Sequence, residues 1–337
     1  MKRTARTWKV ARASKGLYEP DCFTLVEHEV PALSENQVLI ETKLLSLDPT
    51  HLNWIKLDPE LQFLPISVGD AMLGTNIGIV RESTDPRHVV GQMVMGIWDW
   101  STLAIASGNL IGPALPATEM PLTEQLTILS HVGQAAIGGV LGIGRVNAND
   151  AVLVSAAAGA TGSIAAQIAK SLGCKVVGIA GGPDKCRYLI DELGLDGAID
   201  YRVGVMASQI AHHFPDGVDF FFDNVGGETL DAVLANMAKG CRIAVCGAIS
   251  QYDAQAQAHF TGIKNLPMLI FKQARLEGYV AGQFGDENCH FSAHLIELYK
   301  KGKLKTRPHV VVFSEIPETL TLLLTGKNKG KLMALID

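Results

Sequence analysis

Charge is scarce in this chain of 337 residues, with Asp, Glu, Lys and Arg together making up 19%. There is no positive surplus, since 29 Lys+Arg against 34 Asp+Glu leave a formal charge of −5. Such a chain lacks the field that counterion release from nucleic acid rewards, so no nucleic-acid partner is expected. Paired cysteines are missing too. Cys22, Cys174, Cys186, Cys241, Cys246 and Cys289 are scattered, none in the C-x-x-C spacing of zinc and redox motifs. Disulfides and a structural zinc are both disfavoured, and the odd separation of Cys241 and Cys246 sends them to opposite faces of one strand. The pattern fits small buried hydrophobes in a reduced, cytoplasmic protein. Long apolar runs are lacking as well: 128–144 and 151–169 carry no Asp, Glu, Lys or Arg but are interrupted by Gly, Ser, Gln or His. The basic opening from Lys2 to Lys15 has no apolar stretch behind it and reads as a first strand at 7–11. No membrane association is expected.

What is present is apolar and glycine-rich. Hydrophobic residues make up 47% and there are 34 glycines, enough for large cores and too apolar for disorder. At about 100 to 200 residues per domain, the length predicts two domains. From Thr7 to Ser107, short β-rich runs (FTLVEHEV, QVLIETKLLSL, IGIVRES, GQMVMGIW) are cut by Pro and Gly, predicting a partly antiparallel sheet or barrel. A helix is expected over 122–141. From Asp150 apolar strands alternate with helix-length segments, with strands at 151–156, 175–180, 197–201, 218–225, 242–247 and 276–282 and helices at 162–172 and 183–193 among them. Repeated units of this kind mean a parallel sheet covered on both faces, the doubly wound α/β arrangement of a nucleotide-binding domain. After a helix over 290–301, HVVVF (309–313) and KLMALID (331–337) return to β texture on either side of a helix at 317–325. The tail is expected to rejoin the first domain, giving one domain of 1–121 completed by 305–337 and another of 122–304.

The sharpest motif is AVLVSAAAGATGSIAAQIAK, where a buried strand runs into Ala156, Gly159 and Gly162 and a helix opens directly behind. Small residues at this A-x-x-G-x-x-G spacing let the backbone turn tightly and approach a pyrophosphate. The helix start adds unpaired N–H groups and a positive dipole end. Ala157, Gly159, Ala160, Thr161 and Gly162 are therefore candidate cofactor-binding residues. A NAD site sets an acid on the ribose about 20 residues downstream. This chain has Ile179, Ala180, Gly181 and Gly182 there, followed by Lys185, a cation suited to a 2′-phosphate. Asp184, just after Pro183, fits the first turn of a helix more simply than it fits a ribose acid. The expected cofactor is NADP(H), with Gly181, Gly182 and Lys185 at its ribose end.

The run AAAGATGSIAAQIAKSLGCKVVGIAGGPDKCRYL, the segments FFFDNVGGETLD and RIAVCGAISQYD, and the closing GKNKGK resemble the zinc-free medium-chain dehydrogenase/reductases. Within these they resemble the branch of prostaglandin reductases and NADPH-dependent alkenal double-bond reductases. The likeness is dense over 150–282, returns at the C-terminus, and rests on LLSLDPT, LGTNIGIV and WKVARASKG in the first domain. It implies a Rossmann domain beside a GroES-like β-barrel domain that is discontinuous in sequence. The implied reaction is NADPH-dependent reduction of the C=C bond of an α,β-unsaturated aldehyde or ketone. NADPH quinone reduction, or NADPH binding with little turnover, are the alternatives. Matched residue by residue, Lys185 and Tyr201 look like the 2′-phosphate contacts. Asn224, Cys246, Gly247 and Ser250 look like the lining of the cofactor trough, with Tyr279 and Val280 at the end of its last strand, and Asn328 looks like the residue that reaches the nicotinamide. Tyr252 resembles the family tyrosine near the nicotinamide ribose and the substrate carbonyl. It is the one candidate catalytic residue, since a donor aimed at the oxygen of a developing enolate stabilises charge where it appears. A homodimer along the edge of the Rossmann sheet is also implied, and strand 276–282 would supply the unpaired backbone.

The zinc ligands of the wider superfamily are missing. Cys22 is the one cysteine of the first domain, and LGTNIGIV stands where a Gly-His-Glu motif would be, so no metal site is expected and alcohol oxidation is disfavoured. Near the expected substrate cleft, Asp48, Pro49, Thr50, His51 and Leu52 replace DPYMR, and Gln134, Ala135, Ala136 and Ile137 replace LTAY. His51 reads as a structural histidine, and Trp98 and Trp100 as core.

Overall fold

The computed structural model describes residues 3–15, 18–62, 64–252, 262–285 and 287–336; Gly16 of WKVARASKG and Asp253 of RIAVCGAISQYD lie outside them. The chain forms two compact units, Met1–Leu126 with Pro308–Asp337, and Thr127–Arg307.

In the first unit β1 (Thr4–Val10) and β2 (Phe23–Glu29) form an antiparallel pair. A seven-stranded sheet holds β3 (Gln37–Ser46), β4 (Leu73–Ser83), β5 (Met93–Asp99), β6 (Leu103–Ser107) and β7 (Ile111–Ala114), together with β14 (Pro308–Val312) and β15 (Lys331–Leu335). β15 runs antiparallel to β3, with Met333 opposite Ser46. Leu332, Met333 and Ala334 are all buried, so the tail belongs to this core and the unit is discontinuous in sequence. Trp8, Phe23, Trp54, Trp100 and Phe313 make up much of its bulk. Large rings contribute most of the apolar area here, and a buried indole also needs a partner for its N–H. Trp8 Nε1 donates to the Phe313 carbonyl at 2.9 Å, and Trp98 Nε1 to Thr42 Oγ1 at 3.0 Å.

The second unit is built on β8 (Ala151–Val154), β9 (Lys175–Ala180), β10 (Gly197–Asp200), β11 (Val218–Asp223), β12 (Met237–Val245) and β13 (Arg275–Gly278). All pair in parallel, in the order β10-β9-β8-β11-β12-β13. Strands covered on both faces can be apolar at every position, as in Phe220, Phe221 and Phe222, all at 0% exposure. The chain winds outward from β8 to β10, then crosses back and winds the other way from β11. The turns leaving β8 and β11 therefore diverge, and between such turns a doubly wound sheet binds its ligand.

The expected helix over 122–141 is broken. Leu122–Ile128 ends before Ser130, whose extended backbone and side chain start a second helix, His131–Ile137, with Ser130 Oγ accepting from Val132 N at 3.2 Å. A wider π-helical turn, Gly138–Ile143, follows. The helix expected at 183–193 likewise runs as Pro183–Arg187 and then a π-helical turn, Tyr188–Glu192. β12 starts at Met237 rather than at 242, and β13 ends at Gly278 rather than at 282. Among the described residues no single helix is long and apolar enough to cross a membrane.

Candidate active site

The turn after β8 sets the geometry. Ala156 takes a left-handed backbone with φ of 47°. The helix Ala160–Ser171 begins directly after Gly159. A Cβ on Gly162 would lie 2.5 Å from the Ala156 carbonyl oxygen, so glycine is what lets the helix start close on the turn. Ala157 N donates to Ile179 O at 2.9 Å and ties the turn to β9. Its amide is spent on the fold, as is that of Gly159, which donates to Ala156 O at 2.9 Å, while Ala160 and Thr161 sit at the start of the helix, where backbone N–H groups favour an anion.

The far end of the cradle lies after β9. Gly182 has φ of 89°, and its N–H donates to Asp200 Oδ1 at 2.9 Å. Tyr201, half exposed, covers Gly181 so closely that a Cβ there would lie 2.7 Å from its ring. Lys185 stands in the helix opened by Pro183, and burial followed by the charge of Arg202 holds its ammonium below the ordinary lysine range. Asp184 pairs with Arg187 within that helix. Gly181, Gly182, Lys185 and Tyr201 thus share one corner, and Arg202 joins them without having been expected from sequence.

On the β11 side, Asp223 is fully buried and organises two turns. Its carboxylate accepts from Ser155 Oγ at 2.9 Å, from Val225 N at 2.9 Å and from Gly226 N at 3.0 Å. Burial pushes its pKa up, and these three donors oppose the shift. Asn224 N donates to Ser155 Oγ at 2.8 Å and Asn224 Nδ2 to Ser155 O at 2.7 Å, joining the turn after β11 to the glycine turn. The Ser155–Asp223 contact was not foreseen, since it depends on β8 lying beside β11.

The loop after β12 closes this side. Cys246 N and Gly247 N both donate to Asp223 O, at 2.8 and 3.1 Å, and Ser250 Oγ donates to Val225 O at 2.5 Å. Tyr252 folds back over the loop, its phenol oxygen accepting from Ala248 N at 3.4 Å. Burial raises its pKa, so the phenol stays protonated at neutral pH. Tyr279 turns inward. Its hydroxyl donates to Ala135 O at 2.7 Å and hydrogen-bonds with the Cys246 thiol, which burial pushes up to about 11. Val280 is exposed, its N–H donating to Gln283 Oε1 at 3.0 Å.

Asn328 belongs to the first unit, in the loop before β15, where its Nδ2 donates to Gly330 O at 3.0 Å. In the same unit His51 is buried at 2% exposure, accepts from Asp48 N at 2.9 Å and packs edge-on to Trp54 and Trp100. Trp98 and Trp100 are buried at 1% and 0%. A Cβ on Gly74, in the LGTNIGIV strand, would lie 2.5 Å from Trp100 Nε1, so the indole occupies the space a side chain would need. Among the described residues no three His, Cys, Asp or Glu side chains cluster to hold a metal.

A chain that carries a glycine turn at the switch point of a six-stranded parallel sheet in one unit and a discontinuous β sheet in the other has the elements of a nicotinamide-dependent dehydrogenase or reductase. Residues 6–112 match the N-terminal domain of oxidoreductase, and 160–298 match the zinc-binding dehydrogenase family. The chain is 34% identical to NADPH-dependent curcumin reductase of Escherichia coli, covering 98% of this chain and 97% of that one. It is 33% identical to prostaglandin reductase 1 of Rattus norvegicus over 97% and 98% of the two chains. It is also 33% identical to the NADP(+)-dependent 2-alkenal reductase of Nicotiana tabacum over 90% and 88%. The crystal structure of CurA from Vibrio vulnificus in complex with NADPH superposes with a TM-score of 0.88 at 30% identity, over 98% and 99% of the chains. The chain belongs to the medium-chain dehydrogenase/reductase family, in the branch of prostaglandin and alkenal double-bond reductases.

Proposed function

We propose that the chain is an NADPH-dependent, zinc-independent reductase of the C=C bond of α,β-unsaturated aldehydes and ketones. The observation that carries this reading is the cradle itself. A glycine turn suits a pyrophosphate, and Lys185 and Tyr201 rather than an acid stand where the ribose 2′ position falls. Bound NADPH supplies a hydride for the β-carbon of the substrate. The chain's own part is to bind, orient and stabilise charge. Gly159 lets the backbone approach the pyrophosphate closely, Ala160 and Thr161 offer backbone donors to it, and Asp223 and Ser155 hold the two turns together at fixed spacing. Asn328 is assigned the nicotinamide end. Tyr252 keeps its proton, and its contact with Ala248 N uses the oxygen only as acceptor. The O–H remains a donor for the carbonyl oxygen on which negative charge grows. Zinc independence is supported by the LGTNIGIV run, which carries neither the histidine nor the glutamate of a zinc site.

The assay is nicotinamide absorbance with NADPH against trans-2-alkenals, enones, quinones and simple alcohols. Turnover of alkenals and enones is expected, and turnover of quinones alone would overturn the reading. Tyr252→Phe is expected to lower kcat about tenfold to hundredfold with little change in the Kd for NADPH, since the lost interaction is made to the transition state. An unchanged kcat, with a primary isotope effect from 4-deuterated NADPH showing that chemistry limits turnover, would reduce Tyr252 to a lining residue.

We further assign a homodimer and a cytoplasmic location. β13 is the edge of its sheet, and near it in sequence stand Ile270 and Phe271, each 75% exposed, and Leu276 at 38%. An edge that no strand pairs among the described residues, with exposed apolar side chains near it in sequence, calls for a partner strand. Phe271→Glu is expected to shift the chain from dimer to monomer in sedimentation velocity at micromolar concentration. The six cysteines are all free thiols, in keeping with a reducing compartment.

A further inference from the structure

We propose that Arg202 is a second anchor for the 2′-phosphate of NADPH, closing on it opposite Lys185 and thereby setting the preference for the phosphorylated cofactor. The assignment rests on the NADPH reading above and deepens it by naming what discriminates at that corner.

The placement comes from strand pairing. Asp200 lies opposite Ala180 in the parallel β10–β9 ladder, which carries residues 200–202 beside the 180–182 turn. There the Arg202 guanidinium stacks on the Tyr201 ring, 5.7 Å from its centroid, and that ring in turn covers Gly181. Arg202 Nη1 comes within 3.3 Å of the point where a Cβ on Gly182 would stand. Burial, and after it the charge of Arg202, lower the pKa of Lys185.

Two cations held together raise the energy of the site unless an anion joins them. Asp200 Oδ1 accepts from Gly182 N at 2.9 Å and from Arg202 N at 3.0 Å, and Asp184 pairs with Arg187. Among the described residues the Arg202 guanidinium forms no ion pair. Contact with the Tyr201 ring holds the guanidinium at this corner, and its fork of N–H donors suits a phosphate taking two parallel hydrogen bonds. A bare 2′-hydroxyl carries no charge and relieves none of the repulsion, so the arrangement discriminates against NADH as well as favouring NADPH.

The test is calorimetric titration of the full chain with 2′,5′-ADP and with 5′-AMP, which differ only in the phosphate at issue. The wild-type chain is expected to prefer 2′,5′-ADP. Arg202→Ala is expected to weaken 2′,5′-ADP about tenfold and leave 5′-AMP unchanged, and Arg202→Lys to recover part of the loss by restoring charge without the fork. If wild type prefers 2′,5′-ADP and Arg202→Ala keeps the full preference, or loses both ligands equally, the role of Arg202 is overturned while the NADPH reading stands. If wild type binds the two alike, the NADPH reading fails, and the assignment of Arg202 with it.

Discussion

Lys185→Ala is expected to raise the KM for NADPH about tenfold to hundredfold and to leave the KM for NADH within about twofold, through loss of a charge-assisted contact made only to the 2′-phosphate. The size follows from the setting. The Lys185 ammonium is partly withdrawn from water and faces Arg202, so binding a phosphate there relieves a repulsion as well as adding an attraction. Steady-state kinetics with a saturating alkenal would show the split directly, and matched losses on the two cofactors would remove the argument for NADPH. Combining Lys185→Ala with Arg202→Ala should cost less than the sum of the two, since one phosphate couples them.

How far this site could be read from sequence depends on the range of the contacts that make it. β8, β9, β10 and β11 were legible because strands buried on both faces are continuous apolar runs, and the glycine turn because its small residues have a local steric reason. Lys185 was legible because it sits a fixed distance along the chain from that turn. Arg202 was not, because only the pairing of β10 with β9 brings it to Gly182, and local pattern does not show which strands pair. The same holds for Ser155 and Asp223, adjacent only because β8 lies beside β11. The break at Ser130 was hidden differently. The segment 122–141 contains few residues that forbid helix, and a serine side chain capping Val132 was enough to start a new one. Tyr279 kept its place at the end of β13, but its hydroxyl turned to Ala135, a partner far away in sequence.

The largest loss of stability is expected from Lys331→Met, in the closing GKNKGK run. Lys331 is 2% exposed, and its ammonium reaches Asp48 Oδ1 and, at 3.2 Å, the Leu47 carbonyl. Asp48, in LLSLDPT, also accepts from Ser46 Oγ. Burial pulls the pKa of Lys331 down and the Asp48 carboxylate pushes it back up, with burial the stronger. Such a pair adds little over an apolar substitute, but removing one member strands the other charge out of water, at a cost of about 3–5 kcal/mol. Asp48→Asn with Lys331→Met should recover much of that, because the amide still accepts from Ser46 and no net charge is left buried. The single variant should also recover in mild acid. An unpaired buried carboxylate has a folded pKa above its unfolded one, so its penalty disappears as pH falls through the folded value and is full at alkaline pH. Denaturant unfolding of the three proteins across that range tests both points. Because the pair ties the turn after β3 to the strand directly behind Asn328, the single variant should lose alkenal turnover along with stability. The double variant should regain the two together. Recovery of stability without turnover would show that the charges themselves, and not only the packing, hold the Asn328 loop in place.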